Sequence, residues 1–224
     1  NILFILMGLF TVVTWAQREV LLDKNIQAVK VSAGIEIKLI TDAEQNKIEA
    51  DNLVLEAINY KVKNYELNIS LPLGKIIEGD LPLILKVYTI DIDQLNAVQG
   101  SIVEIQNTVE SSSFSIRATE GSVVSGDFDT ENLELKALSG AIIDIRGKSK
   151  NLDVLVNTGG KYNGKNLKTK NTIVKVTYGG NAEVFATENC EANIVVGGNI
   201  DIYGNPKYMH EKKSFGGNIN IIDK

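Results

Sequence analysis

Apolar and polar residues alternate along most of the chain. Ile35, Ile37 and Leu39 are separated by Glu36 and Lys38, and Leu67, Ile69 and Leu71 by Asn68 and Ser70. A period of two marks a strand with one buried face, so the chain reads as all-β. Tyr60 to Ile69 is expected to form a hairpin turning around Lys63 and Asn64, and Ile84 to Ile92 a further strand. Asn52 to Ile58 is the one short helical candidate. Residues 17–95 show no internal repeat and read as an irregular N-terminal β region, packed on or continuing into the remainder of the chain.

A repeat begins near residue 96. The glycines Gly100, Gly121, Gly140, Gly159, Gly179, Gly197 and Gly216 succeed one another at intervals of 21, 19, 19, 20, 18 and 19 residues. Aligning on them produces columns. Three positions after the glycine stand Val103, Val124, Ile143, Tyr162, Ala182, Ile200 and Ile219; five after, Ile105, Gly126, Ile145, Gly164, Val184, Ile202 and Ile221. The position between is always polar and includes Glu104, Asp144, Glu183 and Asp201. Upstream, apolar columns lie seven, five and three residues before the glycine, as in Leu133, Leu135 and Ala137.

A unit of about 19 residues is too short for a propeller blade and lacks the helical half of a leucine-rich repeat. The economical solution is a single-stranded parallel β-helix of about seven coils over residues 96–224. Equivalent residues then stack about 4.8 Å apart, so that apolar columns become interior stripes. Right-handed winding is expected by analogy with parallel crossovers. The glycines mark a corner, doubled from Gly159–Gly160 onward, with Asn181, Asn199 and Asn218 stacked beyond it as a structural ladder. In the last coil Glu211 and Lys213 fall where apolar residues belong, so residues 205–214 read as a loop or cap.

The chain opens differently. Ile2 to Trp15 is an apolar run interrupted only by Gly8, Thr11 and Thr14. It is shorter than the roughly 20 residues of a membrane-spanning helix and fits the core of a secretory signal peptide. Thr14 and Ala16 supply small residues for cleavage before Gln17. Residues 1–16 are therefore expected to be removed and the protein exported, to the periplasm or the cell surface. No second stretch approaches spanning length, so no integral membrane segment is expected in the mature chain.

Composition narrows the chemistry. Of 224 residues, 44% are hydrophobic and 23% charged, ordinary for a globular protein. One cysteine excludes a disulfide framework and a cysteine-based zinc site. A net charge of -5, with Arg18, Arg117 and Arg146 the only arginines, argues against a nucleic-acid partner. Cys190 falls in an interior column and reads as a small buried hydrophobe. The lone His210 lies in a charged stretch with no nucleophile beside it and reads as an exposed loop residue. No glycine-rich stretch has the lysine and following helix of a phosphate loop. Glu183 and Asp201, in adjacent coils, form a weak candidate pair for a divalent cation, against the simpler reading of a solvated outer face. No catalytic residue and no cofactor is expected.

The run Val29-Lys30-Val31-Ser32-Ala33-Gly34-Ile35-Glu36-Ile37, the Tyr60 to Leu71 hairpin and the glycine-anchored coils together resemble the head-GIN-domain family of Bacteroidota, β-helical proteins described as auto-transporter adhesins. The likeness spans nearly all of the chain after residue 16. It implies a β-helix and a place at the cell envelope more than any chemistry. The leading expectation is an exported, non-enzymatic protein that binds a glycan or another extended surface ligand on its outer sheets. The alternatives are a pectinase-type polysaccharide lyase or hydrolase, with acids and Lys or Arg converging in a groove, and a structural envelope protein.

Overall fold

A computed structural model describes residues 17–72 and 83–222; the expected signal segment, residues 1–16, lies outside them. In chain order the elements are β1 (Gln17–Leu21), β2 (Ala28–Val31), β3 (Glu36–Ile40), β4 (Lys47–Asp51), α1 (Asn52–Ala57), β5 (Asn59–Lys63), β6 (Glu66–Ser70), β7 (Ile84–Tyr88), β8 (Gln94–Ala97) and β9 (Ile102–Ile105). The long strands are β10 (Val109–Ala118), β11 (Val123–Leu138), β12 (Ile142–Asn157), β13 (Lys161–Thr177) and β14 (Asn181–Val196). Then come β15 (Asn199–Tyr203), β16 (Tyr208–Phe215) and β17 (Asn218–Ile221). The result is a β-solenoid of about seven turns with an irregular N-terminal β region.

Each turn has three sides. In β11, Val123–Asp127 lies in a first sheet, Phe128–Thr130 on a third side, and Asn132–Leu138 in a second sheet, and each stretch pairs in parallel with its equivalent in β12. The columns inferred from the glycine alignment are the pairing register. Val103, Val124, Ile143, Tyr162, Ala182, Ile200 and Ile219 are successive partners. So are Leu95, Ile116, Leu135, Val154, Val174 and Ala192. These side chains form one continuous core along the axis, in which Phe114 and Phe128 meet edge to face at 5.5 Å.

The corner uses two left-handed residues in succession, such as Ser139 at φ 52° and Gly140 at φ 74°. A Cβ on Gly140 would meet nothing within 4 Å; backbone conformation alone selects glycine there. The corner amides are satisfied by the next coil, Gly121 N–H donating to Ser139 O at 3.1 Å and Gly140 N–H to Thr158 O at 3.1 Å.

The N-terminal strands continue this register, in an order that departs from the chain order. β2 pairs with β8 and β3 with β9, and on their other edges β2 pairs with β6 and β3 with β7. The β2–β3 rung is thus inserted between two rungs that come later in sequence. Gly34, at φ 71° beside Ala33 at φ 64°, is the same corner one rung further out. Antiparallel β1, β4 and β5 close this end. Lys47 lies between the carboxylates of Glu19 and Glu49 at 2.9 and 2.7 Å, with Tyr88 O–H donating to Glu49 at 3.0 Å. Hydrogen bonding to Lys47 first, and to Tyr88, holds the Glu49 carboxyl below its ordinary range.

The helical candidate forms as α1, with the Asp51 carboxylate accepting from Leu53 N–H at 2.9 Å as N-cap. The hairpin forms as β5–β6, turning at Asn64 and Tyr65. One expectation fails: residues 208–215 are a strand rather than a loop. β16 pairs with β14, placing Glu211 against Ala192 and Lys213 against Ile194. Pairing with an ordered edge outweighs the charged composition, and nothing covers the far side of β16 among the described residues, so its side chains stay wet.

Candidate ligand-binding face

The outer face of the second sheet runs from β5 to β16. At its N-terminal end a hollow of about 730 Å³ is lined by Asn59, Lys61 and Lys63 of the hairpin and by Ala28, Asn68 and Gln94. Ala28 points outward yet is buried, which places it under this overhang. Asn96 Nδ2 donates to Glu66 at 3.3 Å beside it.

Further along the axis a side-chain spine borders the same face. Asn151 Nδ2 donates to Asn132 Oδ1 at 2.9 Å, Asn171 to Asn151 at 2.9 Å, and Asn189 to Asn171 at 2.6 Å. Asn132 in turn donates to Ser112 O at 3.1 Å. Two adjoining grooves of about 410 and 420 Å³ share Asn171 and Ile173. Glu134, Asp153 and Glu191 line them, and His210 stands at the far end. Burial, then the charge of Glu134, raises the Asp153 carboxyl above its ordinary range. This four-residue ladder is absent from the sequence reading although its signal is present: each Asn lies eight residues before a corner glycine.

The expected ladder also forms, Asn199 donating to Asn181 at 3.3 Å and Asn218 to Asn199 at 3.0 Å. Glu183 and Asp201 are register partners on the first sheet. Asp201 accepts from Asn220 at 2.8 Å, so a neutral amide already engages one of the two carboxylates. Glu104 and Asp144 share their column across Ser125. Arg146, two residues from Asp144, reaches Asp127 in the neighbouring coil at 2.9 Å. Among the described residues no three His, Cys, Asp or Glu converge as a metal site would require. Cys190 is buried between Thr172 and Met209, and burial, reinforced by the charge of Glu211, pushes its thiol pKa up to about 11. His210 is exposed, on a strand rather than a loop, opposite Glu191.

Fold and face together define a β-solenoid with open polar outer sheets, which spreads its functional groups along an axis instead of gathering them in a cleft. The chain belongs to the family described as "Putative auto-transporter adhesin, head GIN domain", whose model matches residues 25–206. Solved structures share the fold. A crystal structure described as a "putative adhesin" from Bacteroides fragilis matches with a TM-score of 0.83 at 16% identity, over 92% of this chain and 96% of that one. A "putative adhesin" from Parabacteroides distasonis matches at 0.70 and 20% identity, over 92% and 96%. A "Putative lipid binding protein" from Parabacteroides distasonis matches at 0.70 and 15%, over the same shares. Comparison with curated protein sequences found no relative. No helix among the described residues is long and apolar enough to cross a membrane, which says nothing of strands.

Proposed function

We propose that the chain is an exported, non-enzymatic adhesin of the cell envelope that binds an extended glycan on the outer face of its second sheet. Family membership supports the adhesin part. The observation that carries the ligand part is the continuity of this face: the hairpin hollow and the asparagine-bordered grooves lie along one axis, lined by amide and charged side chains. Amides and hydroxyls present both donors and acceptors, which sugar hydroxyls can match. A length of face, rather than a deep pocket, suits a polymer. The pectinase-type alternative is weakened on the first sheet, where Asp127 engages Arg146 and the acids are spread along its length. On the second sheet Glu134 and Asp153 are neighbours in a shallow groove, and the absence of cleavage in a glycan screen separates the two readings.

Screening the purified protein on an array of neutral and acidic glycans tests this reading. Retention of a subset of polymers without their cleavage is expected. No retention of any glycan, or release of reducing ends from one, would overturn it.

A further inference from the structure

Charge on the second sheet is not scattered. Consecutive register partners place Lys61, Lys30, Arg117, Lys136, Lys175 and Lys212 in one outward column. The positions between them hold Asn68, Asn96, Leu155 and Asn193. Ten stacked positions thus contain six cations and no acid, in a chain whose acids outnumber its bases 28 to 23. Acids stand in other columns: Glu66, Glu134, Asp153 and Glu191 in the adjacent outward column of the same sheet, and Glu104, Asp144, Glu183 and Asp201 on the first sheet, in a column that also holds Lys38 and Lys86.

Acids of the adjacent column lie diagonally from Lys30, Arg117, Lys175 and Lys212, yet among the described residues only Lys136 of the cation column forms an ion pair. Two residues earlier on each strand lie Ala28, Ser115, Ile173 and His210 for Lys30, Arg117, Lys175 and Lys212, and a second cation, Lys63, lies two residues after Lys61. Lys136 alone has an acid there, Glu134, and pairs with it at 2.5 Å. Arg117 and Lys136 are moreover direct partners on neighbouring strands, an arrangement of like charges that costs sheet stability. A bound anion would offset that cost.

We propose, resting on the glycan reading, that the ligand of this face is a linear acidic polysaccharide lying along the solenoid axis over the cation column. Most cations recur every second strand, roughly 9.6 Å at sheet spacing, so the column matches a polymer charged on alternate sugars. A nucleic-acid strand, with one phosphate per roughly 3.4 Å, would set about three charges against each cation, and the column offers no aromatic ring for bases to stack on. The hairpin hollow, where Lys61 stands opposite Asn68 and Lys63 opposite Glu66, is one end of the track.

The test measures binding of the whole protein to hyaluronan, with one carboxylate per disaccharide, to dextran of matched length and to single-stranded DNA, at several salt concentrations. Two charge-reversed variants are compared: Arg117→Glu with Lys175→Glu in the column, and Lys161→Glu with Lys168→Glu on the other two sides. Both change the net charge equally, and thermal melts check that both fold. The expected result is salt-sensitive binding to hyaluronan over dextran, weakened about tenfold or more by the column variant and little changed by the other. Equal loss in both variants means unspecific attraction and overturns the proposal, as does tighter binding to DNA. Equal, salt-insensitive binding to dextran overturns it while leaving the glycan reading intact; failure to bind any glycan removes both. Salt-sensitive self-association abolished by the column variant would make a second copy the occupant and likewise overturn it.

Discussion

Tyr162 takes a place in the core that Ile143 and Ala182 hold in the adjoining coils. Its ring is fully buried, and its hydroxyl finds no hydrogen-bond partner among the described residues. Burial raises the phenol far above its ordinary pKa, so the group stays neutral. Gly164 makes the room, since a Cβ there would overlap the Tyr162 ring and hydroxyl. An orphaned buried hydroxyl is a desolvation cost without return. Tyr162→Phe is therefore expected to raise stability by about 1 kcal/mol, read as a higher urea midpoint at unchanged slope; a lower midpoint would show that the hydroxyl has a partner. Period and spacing place Tyr162 and Gly164 correctly in inward columns. What they do not contain is the reason two such unequal residues stand there, because the compensation acts two residues apart on one face.

At the scale of the corner, the doubled glycine motif contains two kinds of glycine. The first of each pair is selected by its left-handed backbone. The second is selected by space as well: a Cβ on Gly198 would lie 2.7 Å from Val176 Cγ1, and on Gly180 2.8 Å from Val156 Cγ1. In earlier coils the partners are reversed in size, with Ser122 bonding to Ala97 O at 2.8 Å. Bulk thus moves from one column to the other along the axis at constant packing. Gly198→Ala is expected to cost about 2 kcal/mol or more, from strain at φ 107° and from the clash. A double-mutant cycle with Val176→Ala should return a favourable coupling of about 0.5 kcal/mol or more; strict additivity in denaturant melts would refute the part played by the Val176 side chain and leave the clash with the Gly180 carbonyl oxygen, equally close at 2.7 Å. The corner is legible in the sequence because it recurs at fixed spacing. The role of its second glycine is not, because the neighbour that selects it belongs to another coil.

For the molecule as a whole, the ends decide whether solenoids remain separate. β16 presents an exposed edge, with Phe215 and Tyr208 about three-quarters exposed at 74% and 72%. Glu211 and Lys213 continue the inward columns at this open end. Inward charges on a terminal rung oppose stacking of a second copy, because each would be desolvated. Replacing them together, Glu211→Ala with Lys213→Val, should yield concentration-dependent end-to-end association in sedimentation velocity; a variant that stays in the state of the parent protein would show that another feature guards this end. The charged coil is plain in the sequence, yet its composition hides a strand. The N-terminal rungs escape for a different reason. Gly34 and its flanking columns obey the repeat, but the rung they build is inserted between later segments, so no constant interval exists to find.

The intervals between corner glycines vary, and the register records where the variation is absorbed. Pairing slips between Asp144 and Gly147 of β12, and between Asn163 and Lys168 of β13, while the two broad sheets stay aligned. The third side acts as an expansion joint. Residues gained or lost there change the girth of a coil without moving either sheet, so evolution or engineering can graft a segment at the exposed Lys165 and Asn166 and leave the lysine track untouched.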